Sequence, residues 1–196
     1  AAFRGYADVV ELLLTNKADP NIQDNFKSTA LMNTSKRTAL MLAAEKGNVD
    51  VVQLLLDNDA HQNTQDEVGY TALMFASREG HADVVKLLLT NKADQNIQDK
   101  FGNTALMIAA SKGYADIVKL LLAKNAHQNT QDEVGRTALM RATREGRADV
   151  VELLMVASRE GHADVVELLL TNKADPNIKG KNGSTVLMVA AFKGHA

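Results

Sequence analysis

One phrase returns along this chain at a constant step, and that recurrence limits the fold more than any single motif. Thr38-Ala39-Leu40-Met41, Thr71-Ala72-Leu73-Met74, Thr104-Ala105-Leu106-Met107 and Thr137-Ala138-Leu139-Met140 are evenly spaced, and Gly47, Gly80, Gly113 and Gly146 keep the same step. A period of about 33 residues is the signature of a solenoid, whose units cannot bury their apolar faces alone and complete one another's core by stacking.

Each unit can be read physically. In residues 71–89, Thr71 is placed to cap a short helix, with Leu73 and Ala76 on one face. Gly80 then ends that helix, because glycine adopts a positive φ cheaply. Asp83 is expected to cap a second helix, in which Val84, Val85, Leu87, Leu88 and Leu89 form a wide apolar stripe. The small residues Ala43, Ala44, Ala76, Ala109 and Ala110 let neighbouring helices approach closely. A polar stretch with a turn glycine follows, as in Gln98-Asp99-Lys100-Phe101-Gly102-Asn103.

These residues resemble the ankyrin repeat, whose pattern runs D-x-x-G-x-T-A-L, then G-H-x-D-V-V-x-L-L-L, then A-D-x-N. Residues 66–96 match it across a whole unit, and the resemblance covers essentially the entire chain. It implies an all-α fold with short β-hairpin finger loops: an α-solenoid of stacked antiparallel helix pairs, forming a single array over residues 1–196. The family's T-P-L-H reads T-A-L-M here, so both the helix-starting Pro and the polar His are replaced. Lys17, Asp59, Lys92, Asn125 and Lys173 stand where the family places a Gly before Ala-Asp or its equivalent. Asn and Asp tolerate a left-handed backbone better than Lys does, so these positions predict a looser array with fraying fingers.

The period breaks in two places. Thr29-Ala30-Leu31-Met32 is followed too soon by Thr38-Ala39-Leu40-Met41, which makes residues 25–41 irregular, and Lys27 stands where the finger glycine belongs. A bulged loop carrying a spoiled helix start is the expected result. In the second break, residues 149–161, a second-helix sequence runs into a first-helix sequence, and the finger and helix start between them are absent. With no breaker between Asp149 and Gly161, one fused helix over roughly 149–160 is predicted; a sharp turn near Leu154–Val156 is the rival. Both ends of the sequence fall inside a first helix, so it reads as a piece of a longer array with truncated terminal repeats. Exposed Leu and Val at such ends favour self-association.

Composition excludes several function classes. The 22 basic and 24 acidic residues are interspersed and leave a formal charge of −2, which gives no electrostatic reason to bind nucleic acid. No apolar run is long enough for membrane insertion, and the absence of Cys excludes disulfides and thiolate chemistry and fits a reducing, cytoplasmic compartment. His81, His162 and His195 follow a glycine where the ankyrin pattern uses His structurally. His61 and His127 fall two units apart, ~20 Å at the usual helix spacing, too far to share a metal, and read as surface loop residues. Met41, Met74, Met107, Met140 and Met188 read as a core or inner-face stripe. Gly180-Lys181-Asn182-Gly183-Ser184 lacks the spacing of a phosphate loop and reads as a hairpin turn. No nucleophile, base and oxyanion donor assemble, so neither an enzyme nor a cofactor is expected.

The positions that vary within the repeating frame are the better candidates for function. By the geometry the resemblance implies, the finger residues Tyr70, Phe101, Asn103 and Arg136 face the groove, as do Arg78, Glu79, Ser111, Lys112, Arg144 and Glu145 at the ends of the first helices. Tyr and Arg commonly anchor interfaces. The resemblance thus implies a non-enzymatic scaffold that binds a protein partner on a concave face. A structural spacer or tether, or a regulatory module of a larger protein, is the alternative.

Overall fold

The computed structural model describes residues 1–24 and 36–157, with side chains through Leu154. It comprises two compact units, residues 1–105 and 106–196. Unit 1 holds a 3-10 turn at Ala2–Arg4, then α1 (Ala7–Thr15), α2 (Ala39–Lys46), α3 (Val49–Asp57), α4 (Ala72–Glu79) and α5 (Ala82–Thr90). The first helix of each pair and the second form separate layers: α2 packs between the 3-10 turn and α4, and α3 between α1 and α5. Within pairs, α2 packs on α3 and α4 on α5. The described part of unit 2 continues the pattern with α6 (Ala105–Lys112, starting at the boundary), α7 (Ala115–Ala123), α8 (Ala138–Arg144) and α9 (Ala148–Ala157). There α8 packs on α9, and α9 on α7.

The sequence explains where these short helices start and stop. Thr71 is extended, and its Oγ1 accepts the Met74 N–H at 3.3 Å, satisfying a donor that the first turn leaves open. Thr38 and Thr137 do the same. At these two caps the methionine answers back: Met41 and Met140 Sδ accept the N–H of Thr38 and Thr137 at 3.5 and 3.4 Å. The thioether thus takes the place of the usual Glu or Gln in a capping box, as a weaker acceptor. Met41, Met74 and Met107 are buried and Met140 is half-buried, so the described methionines join core to cap. Met188 lies outside the described residues.

Gly80 closes α4 at φ +84, with its N–H on the Ala76 carbonyl. The turn that follows is tighter than the sequence reading allowed. His81, not Asp83, is the residue preceding α5, and no side chain caps that helix. Asp83 instead lies within the first turn, where a carboxylate still favours the helix dipole. The left-handed glycine feeds the chain straight into the new helix (Ala82 N–H to Gly80 O, 3.1 Å), which leaves no room for an extended cap residue. The apolar stripe then holds the layer. Val84, Val85 and Leu88 are 0% exposed, each contributing about 2 kcal/mol by burial.

Lys17, Asp59, Lys92 and Asn125 all adopt positive φ, between 59 and 65°. A side chain with a Cβ is strained there, so Lys92→Gly is expected to raise stability by about 1 kcal/mol. Urea unfolding of the two proteins checks this, and an unchanged midpoint would mean that the strain is relieved locally.

The first break is now readable from its two rims. Asp24 N–H donates to the Arg37 carbonyl at 2.9 Å, and Asp24 Oδ1 accepts the Arg37 N–H at 3.0 Å. Asp66 makes the same pair of bonds with Tyr70, at a sequence separation of 4 rather than 13. The extra length thus lies in sequence between these two rims, and Thr38, with its buried side chain, starts the helix. Lys36, at φ +72, takes the place that Gly69 holds before Tyr70. Lys27, expected there from the sequence, lies outside the described residues, as does the repeated tetrapeptide at 29–32. At the second break α9 stays helical through Leu154–Val156, where the turn would have fallen. Residues 158–160 of the predicted fused helix lie outside the described residues.

Candidate partner-binding face

One aspartate organises each finger. Asp66 Oδ1 accepts the N–H groups of Val68 and Tyr70, Asp99 Oδ1 those of Phe101 and Asn103, and Asp132 Oδ1 those of Val134 and Arg136, all at 2.8–3.0 Å. All three aspartates are buried. Because each side chain bonds the backbone two and four residues ahead, it fixes the turn and aims the residue at its end. No strand is formed among the described residues; the fingers are turns closed by these carboxylates. Within unit 1 they are also tied to one another. Lys100 N–H reaches the Val68 carbonyl at 2.9 Å, and Gln65 Nε2 bonds the carbonyls of Gly69 and Gln98. The looseness expected from left-handed lysines is offset by these bonds. Gly69 allows the close approach: a Cβ there would lie 2.9 Å from Asp99 Cα and Lys100 N.

In unit 1 the candidates Tyr70, Arg78 and Glu79 form one cluster around Phe75. The Tyr70 and Phe75 rings are 5.3 Å apart, and the guanidinium groups of Arg37 and Arg78 lie 4.5 and 5.0 Å from the Phe75 centroid. Glu45 joins the two arginines, with Oε2 2.8 Å from Arg37 Nη1 and Oε1 2.9 Å from Arg78 Nη2. Arg78 Nε adds a 2.6 Å pair with Glu79. Two cations and two carboxylates cancel, so this cluster is closed on itself. Phe101 stands apart at 56% exposure, and Asn103 Nδ2 donates back to Asp99 Oδ2 at 2.7 Å.

In unit 2 the candidates Ser111, Lys112, Arg136, Arg144 and Glu145 line a single cavity of about 380 Å³. Arg141 and Arg147 line it too, and the sequence reading missed both. Asp132 lies beneath, its Oδ2 receiving Arg141 Nη2 at 2.6 Å and Nε at 3.1 Å, with Arg136 Nε 3.4 Å away. Burial pushes the Asp132 carboxyl up, but the Arg136 and Val134 N–H groups and the Arg141 guanidinium outweigh it and hold the group below the ordinary carboxylate value. Register could have found Arg147, whereas it makes Arg141 read as a core position. Arg141 stands one and two repeat steps after the buried Ile108 and Phe75, and Arg147 stands one and two steps after Tyr114 and His81.

His81 itself is structural: its Nε2 lies 3.0 Å from the Glu45 carbonyl of the preceding repeat. Arg147 Nε makes the corresponding 3.1 Å bond to the Ser111 carbonyl, and Asn48 Nδ2 bonds the Ala2 carbonyl. His61 and His127 are exposed loop residues; His162 and His195 lie outside the described residues. Among the described residues no three His, Cys, Asp or Glu side chains group as a metal site, and no helix is long and apolar enough to cross a membrane.

Stacked helix pairs with capped first helices, glycine-ended turns and aspartate-closed fingers agree with a family model described as ankyrin repeats (3 copies). Its matches span residues 1–99, 85–155 and 154–196. The chain belongs to the ankyrin-repeat family. The second and third ankyrin matches meet at residues 154–155, inside the stretch where the repeat is shortened. A comparison with curated proteins found no match. Ankyrin repeats are in general protein–protein interaction modules and typically act as non-enzymatic scaffolds.

Proposed function

We propose that this ankyrin chain is a non-enzymatic scaffold that holds a protein partner on the face carrying its finger ends and first-helix ends. One observation carries the reading. Most residues that repeat without change, such as Thr71, Ala72, Leu73 and Met74, are buried, while three registers that vary, at the finger ends and first-helix ends, reach the surface. Tyr70, Asn103 and Arg136 occupy one such register; Arg78, Ser111 and Arg144 another; Glu79, Lys112 and Glu145 a third. All are half-buried or exposed. A frame held constant with a diverse rim is what recognition of a particular partner requires.

The test is a variant with Tyr70, Phe101 and Arg136 all changed to Ala, compared with the parent against a partner isolated by affinity capture. Affinity is expected to fall by about a hundredfold, since interface Tyr and Arg often contribute above ~1 kcal/mol each. Unchanged affinity would point to a spacer role for this face. Homotypic contact is part of the same reading, because Phe3, Tyr6, Val9, Leu12 and Leu13 of unit 1 are exposed apolar side chains. Light scattering at high concentration separates it from partner binding: a strictly monomeric profile removes it.

A further inference from the structure

The unit 2 cavity differs from the unit 1 cluster at several register positions, with Arg136 for Tyr70, Arg141 for Phe75 and Ser111 for Glu45, and together these differences create unbalanced charge. In unit 1, Arg78 finds its counter-ion one repeat step earlier, in Glu45 at 2.9 Å. In unit 2 the residue one step before Arg144 is Ser111. A hydroxyl replaces the bridging carboxylate, and the space a glutamate would fill becomes part of the cavity wall. Five cations line that cavity: Lys112, Arg136, Arg141, Arg144 and Arg147. Among the described residues two carboxylates answer them. Asp132 lies beneath with its side chain 1% exposed and is shared by Arg141 and Arg136. Glu145 Oε1 lies 4.0 Å from Arg144 Nε. Among the described residues three positive charges are left over, on a chain whose formal charge is −2. Arg136 Nε is also buried without a hydrogen bond.

We infer that this cavity takes a run of carboxylates, a Glu/Asp-rich segment of a partner protein. The proposal rests on reading the chain as a protein-binding array. Several guanidinium groups around one open cavity match planar carboxylates, which they can hold by paired N–H bonds. The volume suits a few side-chain heads rather than a folded surface. Among the described residues no aromatic ring lines it, so a nucleic-acid strand would find charge there but no stacking platform. Arg144, with its side chain 62% exposed, is placed to meet the segment first. Arg147, held through its Nε to the Ser111 carbonyl, presents its remaining guanidinium donors from a fixed base.

The experiment measures binding of a short fluorescent oligoglutamate peptide to the full chain and to folded variants of it. The peptide is expected to bind with an affinity that falls as salt is raised. Ser111→Glu supplies the carboxylate that Glu45 gives Arg78 in unit 1 and should weaken binding about tenfold or more without loss of thermal stability. Arg144→Glu with Arg147→Glu should do the same. Glu11→Gln, at an exposed position of α1 in unit 1, should leave binding unchanged. Failure of the peptide to bind, or full binding to Ser111→Glu, overturns the proposal, as does equal binding of an oligothymidylate. These variants leave Tyr70, Phe101 and Arg136 intact. A captured partner that still depends on that triad while the peptide fails therefore sinks this inference alone. A partner indifferent to the triad, with the peptide still binding, sinks only the broader reading.

Discussion

Asp132→Ala is expected to destabilise the protein by about 3 kcal/mol, the largest effect of any single polar substitution on the candidate face. The carboxylate is buried and bonds two backbone N–H groups and the Arg141 guanidinium. Alanine leaves all of these without their acceptor. Arg141 is only 22% exposed, so water recovers part of the cost and not the whole. Asp132→Asn keeps a neutral acceptor and should cost about half as much. The pH dependence follows from the depressed folded pKa of this group. Its contribution is fully present above the ordinary aspartate value and is lost as pH falls through the lower folded value. Denaturant unfolding from neutral to strongly acidic pH should therefore show a smaller acid loss in Asp132→Asn than in the parent. Equal slopes in the two proteins would show that the carboxylate is no better held in the folded chain than in the unfolded one.

The frame that holds Asp132 was legible in the sequence because its causes are local. A Thr before Ala-Leu-Met makes a cap, and a glycine two helical turns further on makes a C-terminus. Lys17, Asp59, Lys92 and Asn125 could be placed in the left-handed region by counting alone, and they lie there. What sequence did not show depends on a neighbour. Arg141 falls in register with a buried Phe and a buried Ile, so it reads as a core position. Only the packed finger supplies Asp132 as a reason for an arginine there. Glu45 was not singled out, because its role is to join two arginines that lie in different repeats, Arg37 and Arg78. The first break shows the same limit. Repeat counting measured the extra length, but the Asp24 to Arg37 bonds were needed to show that Lys36 takes the glycine's place.

Phe75→Ala should be the most damaging change in unit 1, with an expected loss of about 4 kcal/mol. Phe75 is 1% exposed, so truncation removes buried area and leaves a cavity. It also removes the ring over which Arg37 and Arg78 lie and against which Tyr70 packs. Isoleucine separates these terms, because Ile108 occupies the same register position in the next repeat and is buried there. Phe75→Ile keeps most of the apolar volume and loses the two cation–ring contacts, so its cost should be about 1–2 kcal/mol. Urea unfolding of the three proteins gives the comparison, and a loss as large for Ile as for Ala would make the arginine contacts dominant. The ring has a second consequence for binding. Arg78 and Tyr70 owe their positions to Phe75, so the isoleucine variant should retain its fold yet hold a Tyr70-dependent partner less tightly. Undiminished affinity would mean that Glu45 and the finger backbone are enough to fix those two side chains.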